Sequence, residues 1–325
     1  YTYTNLFMKN IYLNIFKANS INLKKAKKYI ENNNVIGLPT ETVYGLAANA
    51  YSDKAVKKIF IIKNRPNFNP LIVHFKNLKD LRKEVFVDKL FMKLYKNFCP
   101  GPITFILNKK NSSNISKIAC SKNKTVAVRI PKHKVARNLL KILKTPLAAP
   151  SANMSSKLSP TSPVDVVDEF KKKIKFILDG GRCKIGLEST IIDLTVKPCI
   201  LRQGAITREE IEKVLKKKIN INKKNKKIKS PGQLKFHYSP GIPVNLNKKN
   251  AKKNEAFITF GKKYEKNKNY FNLSKKGDLK EAANKLYKTM RKIKKLKFKS
   301  INVCKIPNVG IGNAINERLK RASYK

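Results

Sequence analysis

Arginine is scarce in this sequence, and acidic residues are few: Asp and Glu total 20 against 73 Lys and Arg, for a formal charge of +53. A surplus of that size invites a nucleic-acid reading. Nearly all of it is lysine, however, accompanied by abundant asparagine and isoleucine. Lys, Asn and Ile share A/T-rich codons, so genome composition alone produces such an excess. Duplex and phosphate recognition particularly favours Arg. Charge by itself therefore does not define the partner. It still allows weak tRNA or phosphate affinity, because bulk charge acts whatever its origin. Cysteine is sparse and scattered (Cys99, Cys120, Cys183, Cys199 and Cys304), with no CxxC pair and an odd total. That argues against a disulfide frame or a zinc site and for reduced thiols in a cytoplasmic protein. The three histidines, His74, His133 and His237, have no ligand-like spacing, so no protein metal site is expected. Apolar runs fall well short of the ~18 residues of a membrane span. NLFMKNIYLNIF near the start is broken by Lys9 and asparagines and lacks a small-residue cleavage site, which speaks against a signal peptide. The first methionine is Met8, which leaves the true start open.

What is present is enough for a sizeable core: 41% of the 325 residues are hydrophobic, a length suited to two domains. Lys24–Asn32 and Asp53–Lys63 carry helical spacing, with another helical pattern after the strand-like 71–75. Further strands are expected at VIGLP (35–39), 103–107, 125–130, 146–150, 176–179, 189–194 and 199–202. Strands interleaved with helices indicate an α/β architecture with a mixed, largely buried sheet over residues 15–215. Lys216–Lys229 is too charged to pack and reads as a solvated basic linker, within a connecting segment 216–240. The pattern resumes with strands at 256–260 and 300–306 and helices at Glu281–Lys295 and from Asn313. These describe a small second α/β domain over 241–325.

Several segments of the first domain carry unusual chemistry. LPTETVYGLAAN ends an apolar strand in three consecutive hydrogen-bonding side chains, Thr40, Glu41 and Thr42. They suit the reading of a small polar substrate, or a capping-box-like turn with Thr40 or Thr42 as N-cap. KNRPNFNPLIVHF sets Lys63, Arg65, Asn69 and His74 around two prolines, which hold a loop open and present cations to an anion. APSANMSSKLSPTSP is crowded with hydroxyls directly after a strand, and such caps leave N–H groups that welcome phosphate. DGGRCKIGLESTIIDL leads Glu188, Ser189 and Thr190 into another strand. Each has a plainer reading. His74 fits a satisfied core histidine, Arg129 a strand residue paired with an acid, and Tyr238 a residue packing the linker. GIGNAI (310–315) lacks the third glycine and the later acid of a dinucleotide fingerprint, and no P-loop occurs.

Taken together and in order, PTETVYGLAA, KNRPNFNPLIVH, CPGPITFIL, TVAVRIP, APSAN, GLESTIID and LRQGAIT closely resemble the YrdC-like family. SPGQLKFHYSP and GIGNAINERLKRA resemble the C-terminal extension of its two-domain threonylcarbamoyl-AMP synthase members. The resemblance runs from about residue 15 to about residue 323. It implies a YrdC-like twisted mixed sheet with flanking helices and a small Rossmann-like C-terminal domain. The implied activity is formation of L-threonylcarbamoyladenylate from L-threonine, bicarbonate and ATP, with release of pyrophosphate, for the t6A modification at position 37 of tRNA. Mg²⁺ would accompany ATP, and the product would pass to a tRNA threonylcarbamoyl transferase machinery.

By the same resemblance, Thr42, His74, Arg129, Ser189 and the Ala149 backbone hold threonine, the arginine pairing bidentately with the substrate carboxylate. Arg65, Asn69, Thr125, Ser151, Asn153, Ser159 and Arg202 lie on the nucleotide. Lys63 and Arg65 form the catalytic KxR element. Tyr238 folds over the nucleotide as part of an interdomain lid. Two features depart from the family pattern: LRQG for the usual LRPG, with Gln203 in place of proline, and an unusually basic Lys213–Lys229. The competing reading is a non-catalytic RNA-binding module of the same fold. That alternative has no need of such a residue set, and aromatic platforms for bases are not obvious.

Overall fold

The computed structural model describes residues 12–221, 228–233, 237–264 and 267–324. In the first unit β1 (Ile15–Lys17), α1 (Ser20–Glu31), β2 (Ile36–Leu38), β3 (Gly45–Asn49) and α2 (Asp53–Lys63) are followed by β4 (Ile72–His74), α3 (Leu78–Glu84), α4 (Lys89–Phe98), β5 (Ile103–Asn108) and β6 (Thr125–Arg129). Then come α5 (Lys134–Ile142), β7 (Leu147–Ala148), α6 (Pro163–Phe170), β8 (Ile177–Asp179), β9 (Thr190–Asp193), β10 (Cys199–Arg202), α7 (Arg208–Leu215) and β11 (Asn220–Ile221). Their strands form one mixed sheet in the order β1-β8-β2-β3-β7-β4-β6-β5-β9-β10-β11. The second unit has β12 (Val244–Asn245), β13 (Ala256–Thr259), β14 (Tyr270–Asn272), α8 (Leu279–Lys295), β15 (Ile301–Val303) and α9 (Gly312–Ala322). Its sheet runs β12-β15-β13-β14 with every pairing parallel.

Local chemistry sets the helices. Ser52 caps α2 by accepting from the Ala55 N–H, and Asn64 ends it in the left-handed region at φ 47°. Ser162 and Asp165 form a reciprocal capping box at α6, with Pro163 in the first turn. Alternation along the strands sets the faces. Val126 and Val128 of β6, with Val73 of β4, join the large core beneath α2, α4, α6 and α7. His74 and Arg129 sit at paired positions of neighbouring strands, so both point to the opposite face. Part of that face is covered by α1 and α5 over Ile36, Leu38, Ala47 and Leu178. Over β4, β5, β6, β9 and β10 it carries a small apolar cluster of Ile72, Ile106, Ala127, Ile191, Cys199 and Leu201.

The second unit docks back on the first. Val43, Leu158 and Leu187 of the first unit share a core cluster with Phe257, Leu286 and Met290 of the second. Arg291 donates to the Leu158 carbonyl at 2.5 Å, and Asn284 donates to the carbonyls of Cys183 and Lys184. Gly186, at φ 80°, meets α8 so closely that a Cβ would lie 2.6 Å from the Asn284 Cα.

Two expectations need correction. The segment after α7 is not wholly solvated: Ile219 is buried, and Asn220–Ile221 adds an edge strand parallel to β10. Isoleucines between the lysines supply the apolar contact, so the first unit reaches residue 221 rather than 215. Residues 222–227 of the expected linker, 234–236, and the start through residue 11 lie outside the described residues. Pro39–Tyr44 is followed by a strand rather than a helix, so the N-cap reading of Thr40 and Thr42 fails. The two strands flanking that loop pair antiparallel, Leu38 against Gly45. Among the described residues no helix is long and apolar enough to cross a membrane.

Candidate active site

A cavity opens where the loops after β2, α2 and β7 meet β4, the end of β6, the start of β9, the end of β10 and the connecting segment. Thr40, Thr42, Arg65, His74, Arg129, Ala149, Ser151, Glu188, Ser189 and Arg202 line it from the first unit. Pro231, His237 and Tyr238 close it from the connecting segment.

Thr40 organises the first loop. Its hydroxyl donates to the Val43 carbonyl at 2.6 Å and accepts from the Thr42 and Val43 N–H groups. Since that spends the one Thr40 proton, the Thr42 hydroxyl must donate across the 2.8 Å Thr40–Thr42 contact. Thr42 accepts from Arg129 Nη1 at 3.0 Å, and its other lone pair remains for a donor in the cavity. Arg129 Nη2 donates to Glu41 at 2.6 Å, and Glu41 also accepts the N–H groups of Lys132 and His133. Burial opposes ionisation of Glu41, but Arg129 together with backbone N–H groups outweighs it and holds this carboxyl below its ordinary range.

Two other guanidiniums behave differently. Arg65 Nε and Nη2 donate to the Asn69 carbonyl, the Asn69 side chain and the Pro70 carbonyl. Arg202 donates to the carbonyl and hydroxyl of Ser189, and that hydroxyl also contacts Thr104 at 2.7 Å. Both are buried, and among the described residues neither has a carboxylate within 4.0 Å. Burial, then the like charge of Arg202, pushes the Arg65 pKa down. Buried cations without a counter-ion are costly and define a site for an anion. His74 is driven the other way from a cation: burial, then Arg129, pushes it to about 3, so it is neutral at physiological pH. Its Nδ1, the His237 Nδ1 and the Tyr238 hydroxyl have no hydrogen-bond partner among the described residues.

Residues 28–204 match the Sua5/YciO/YrdC family model, described as telomere recombination, and residues 206–323 match the model of the threonylcarbamoyl-AMP synthase C-terminal domain. The threonylcarbamoyl-AMP synthase of Pyrococcus abyssi is 38% identical, the alignment covering 93% of this chain and 94% of that one. That of Bacillus subtilis is 34% identical over 94% of each. The chain belongs to the threonylcarbamoyl-AMP synthase family. A crystal structure of Pyrococcus abyssi Sua5 complexed with L-threonine superposes with a TM-score of 0.87 at 32% identity, covering 95% of this chain and 97% of that one.

Against this synthase frame, the structure distributes the expected residues unevenly. Thr42, Arg65, His74, Arg129, Ala149, Ser151, Ser189, Arg202 and Tyr238 share the cavity. Lys63 does not line it. Its ammonium is buried beneath the APSAN loop and donates to the carbonyls of Ser151 and Asn153, so it fixes the loop rather than facing the opening. Asn69 holds Arg65 from behind, and Asn153 bonds to Met154 and Lys157 within its own turn. Ser159 donates to Glu188 at 2.5 Å. Thr125 shares a strand face with Arg129 but lies four residues, about 13 Å, along β6. Arg129 is paired with an acid, as its plainer reading holds, and lines the cavity as well. The Ala149 N–H is spent on the Ile72 carbonyl, which leaves its own carbonyl to offer.

Glu188 and His237 also line the cavity, and Glu41 anchors Arg129; the motifs assign no role to any of the three individually. The signal for Glu188 was available: an acid directly before the apolar run TIID, in the segment already marked as polar.

Proposed function

We propose that this chain joins L-threonine, bicarbonate and ATP into L-threonylcarbamoyladenylate, releasing pyrophosphate. The observation that carries the reading is the pair of buried guanidiniums, Arg65 and Arg202, without counter-ions in a cavity that also holds Thr42, neutral His74 and Ser189. The cationic side suits the triphosphate, and the hydroxyl-rich side suits a small amino acid.

In the reaction the threonine nitrogen, as free amine, bonds to the carbon of CO2 derived from bicarbonate, and a proton leaves. The carbamate oxygen then attacks the α-phosphorus while the bond to the β-phosphate bridging oxygen breaks, sending its electrons to pyrophosphate. No covalent enzyme nucleophile is required. The chain's contribution is positioning and charge neutralisation. Thr42 offers a lone pair to the substrate amine. Hydrogen bonds to the threonine hydroxyl discriminate against valine, which shape alone does weakly. Pro231, His237 and Tyr238 cover the opening and keep water from a readily hydrolysed product.

Mg²⁺ belongs to this reading as a companion of ATP. Glu188, the single carboxylate on the cavity wall among the described residues, already accepts three side chains, and no cluster of three metal-ligating groups occurs among those residues. The wall therefore does not form a ligand set of its own, and phosphate oxygens and water suit the ion instead. A cytoplasmic setting, supported by five cysteines that form no disulfide, and hand-over of the product to a tRNA-modifying transferase complete the proposal.

The test is pyrophosphate release by the purified protein with ATP, Mg²⁺, bicarbonate and L-threonine. Release that requires threonine and is lost in Arg65→Ala supports the proposal. RNA binding without threonine-dependent release supports the non-catalytic alternative.

A further inference from the structure

The segment GNAINERLKRA has no part in the reaction as described, yet it carries one of the largest fully buried side chains of the molecule, Arg318. On α9 the buried residues Ala314, Ile315, Arg318, Leu319 and Ala322 form one stripe, so an arginine occupies a position on the apolar face. That face meets the first unit. Arg318 Nε donates to Glu188 at 2.9 Å, and Tyr287 of α8 donates to the same carboxylate at 3.1 Å. Ser159 completes the set from the first unit. Arg318 also lies over the Tyr238 ring, 4.9 Å from its centroid.

Glu188 is the residue before Ser189, which holds Arg202. The carboxylate thus stands beside one of the two cations that need an anion, and its field reaches that guanidinium. What keeps Glu188 from serving as the counter-ion of Arg202 is its saturation by groups of which two, Arg318 and Tyr287, come from the second unit.

We propose that Arg318 is a positioning residue contributed by the second domain: by holding Glu188 it leaves Arg202 open to the triphosphate. The inference rests on the synthase reading above. It gives the C-terminal domain a direct part in ATP binding, and through the Tyr238 ring it ties the seat of the connecting segment to the same contact.

The experiment compares the full-length wild type with Arg318→Met and with the double variant Glu188→Gln, Arg318→Met, measuring KM for ATP and for threonine separately together with the thermal midpoint. Wild-type threonine-dependent pyrophosphate release tests the underlying reading independently. In Arg318→Met the unpaired Glu188 turns to Arg202, so KM for ATP rises about tenfold or more while KM for threonine stays within about threefold. The double variant has no carboxylate to divert Arg202, and its KM for ATP returns to within about threefold of wild type. Should the single variant not fold, Tyr287→Phe, which removes a neutral donor from Glu188 and leaves no lone buried charge, carries the test: KM for ATP rises while KM for threonine stays within about threefold, and an unchanged KM for ATP overturns the proposal. Equal increases in both KM values overturn the proposal. So does a double variant whose thermal midpoint recovers while its KM for ATP stays high.

Discussion

Replacing Lys63 with methionine separates two roles that a KxR element can have. In the structure the Lys63 ammonium is buried and bonded to two backbone carbonyls, those of Ser151 and Asn153. Each hydrogen bond from a charged group contributes about 1.5–3 kcal/mol. Against this stands the cost of burying the ammonium, several kcal/mol per ion, which methionine avoids. The same cost pushes the Lys63 pKa well below its ordinary value, with the like charge of Arg65 adding to it. The Asn153 carbonyl then loses its donor while the Ser151 carbonyl keeps only the Asn153 N–H, a net loss of about 1–3 kcal/mol. At about 2–4 °C per kcal/mol this lowers the melting temperature by roughly 2–12 °C. The loosened loop carries Ser151, so KM for ATP rises about 3- to 30-fold, while kcat falls by less than about tenfold. Differential scanning fluorimetry and initial rates of pyrophosphate release measure both. A fall in kcat of about 1000-fold at an unchanged melting temperature would refute the loop-fixing role and show that Lys63 reaches the reacting phosphate.

Gly232 sits at φ 81°, where a Cβ would lie 2.8 Å from the Arg202 Cδ, so Gly232→Ala displaces the connecting segment and raises KM for ATP about tenfold; an unchanged KM contradicts its seating there. Glu41→Gln leaves Arg129 buried without its counter-ion and costs about 3–5 kcal/mol in urea unfolding; a loss below about 1 kcal/mol would show the pair to be dispensable. His74 titrates at about 3 when folded against 6.5 ordinarily, so the unfolded state binds the extra proton between those values. Its contribution is complete above pH 6.5 and falls as pH drops through that window, by about 1.4 kcal/mol per unit; His74→Gln flattens the slope between pH 6 and 5, and an unaltered slope contradicts a neutral buried His74.

The frame of the fold was legible because apolar runs such as ITFIL and TVAVR are long enough to show their period. What escaped was short or carried its signal in partners. Val244–Asn245 and Asn220–Ile221 are two-residue strands fixed by their neighbours, and Gly45–Asn49 reads too small and mixed to declare a strand. The same holds for the site. Motif order gathered Thr42, Arg65, Arg129 and Arg202, but not which cation faces the cavity. For Lys63 the answer lay in the helix period: Ala55, Val56, Ile59, Phe60 and Lys63 form one buried stripe, which turns the lysine inward. Arg318 shows the same pattern on α9. The Glu41–Arg129 and Glu188–Arg318 pairs join residues 88 and 130 positions apart, a distance at which no local pattern operates.

A crystal structure of the protein with L-threonine and a non-hydrolysable ATP analogue tests the central claim most directly. Both ligands are expected in the one cavity, the threonine amine at Thr42 and the phosphates between Arg65 and Arg202. Ligands in separate regions, with no phosphate oxygen near either guanidinium, would contradict it.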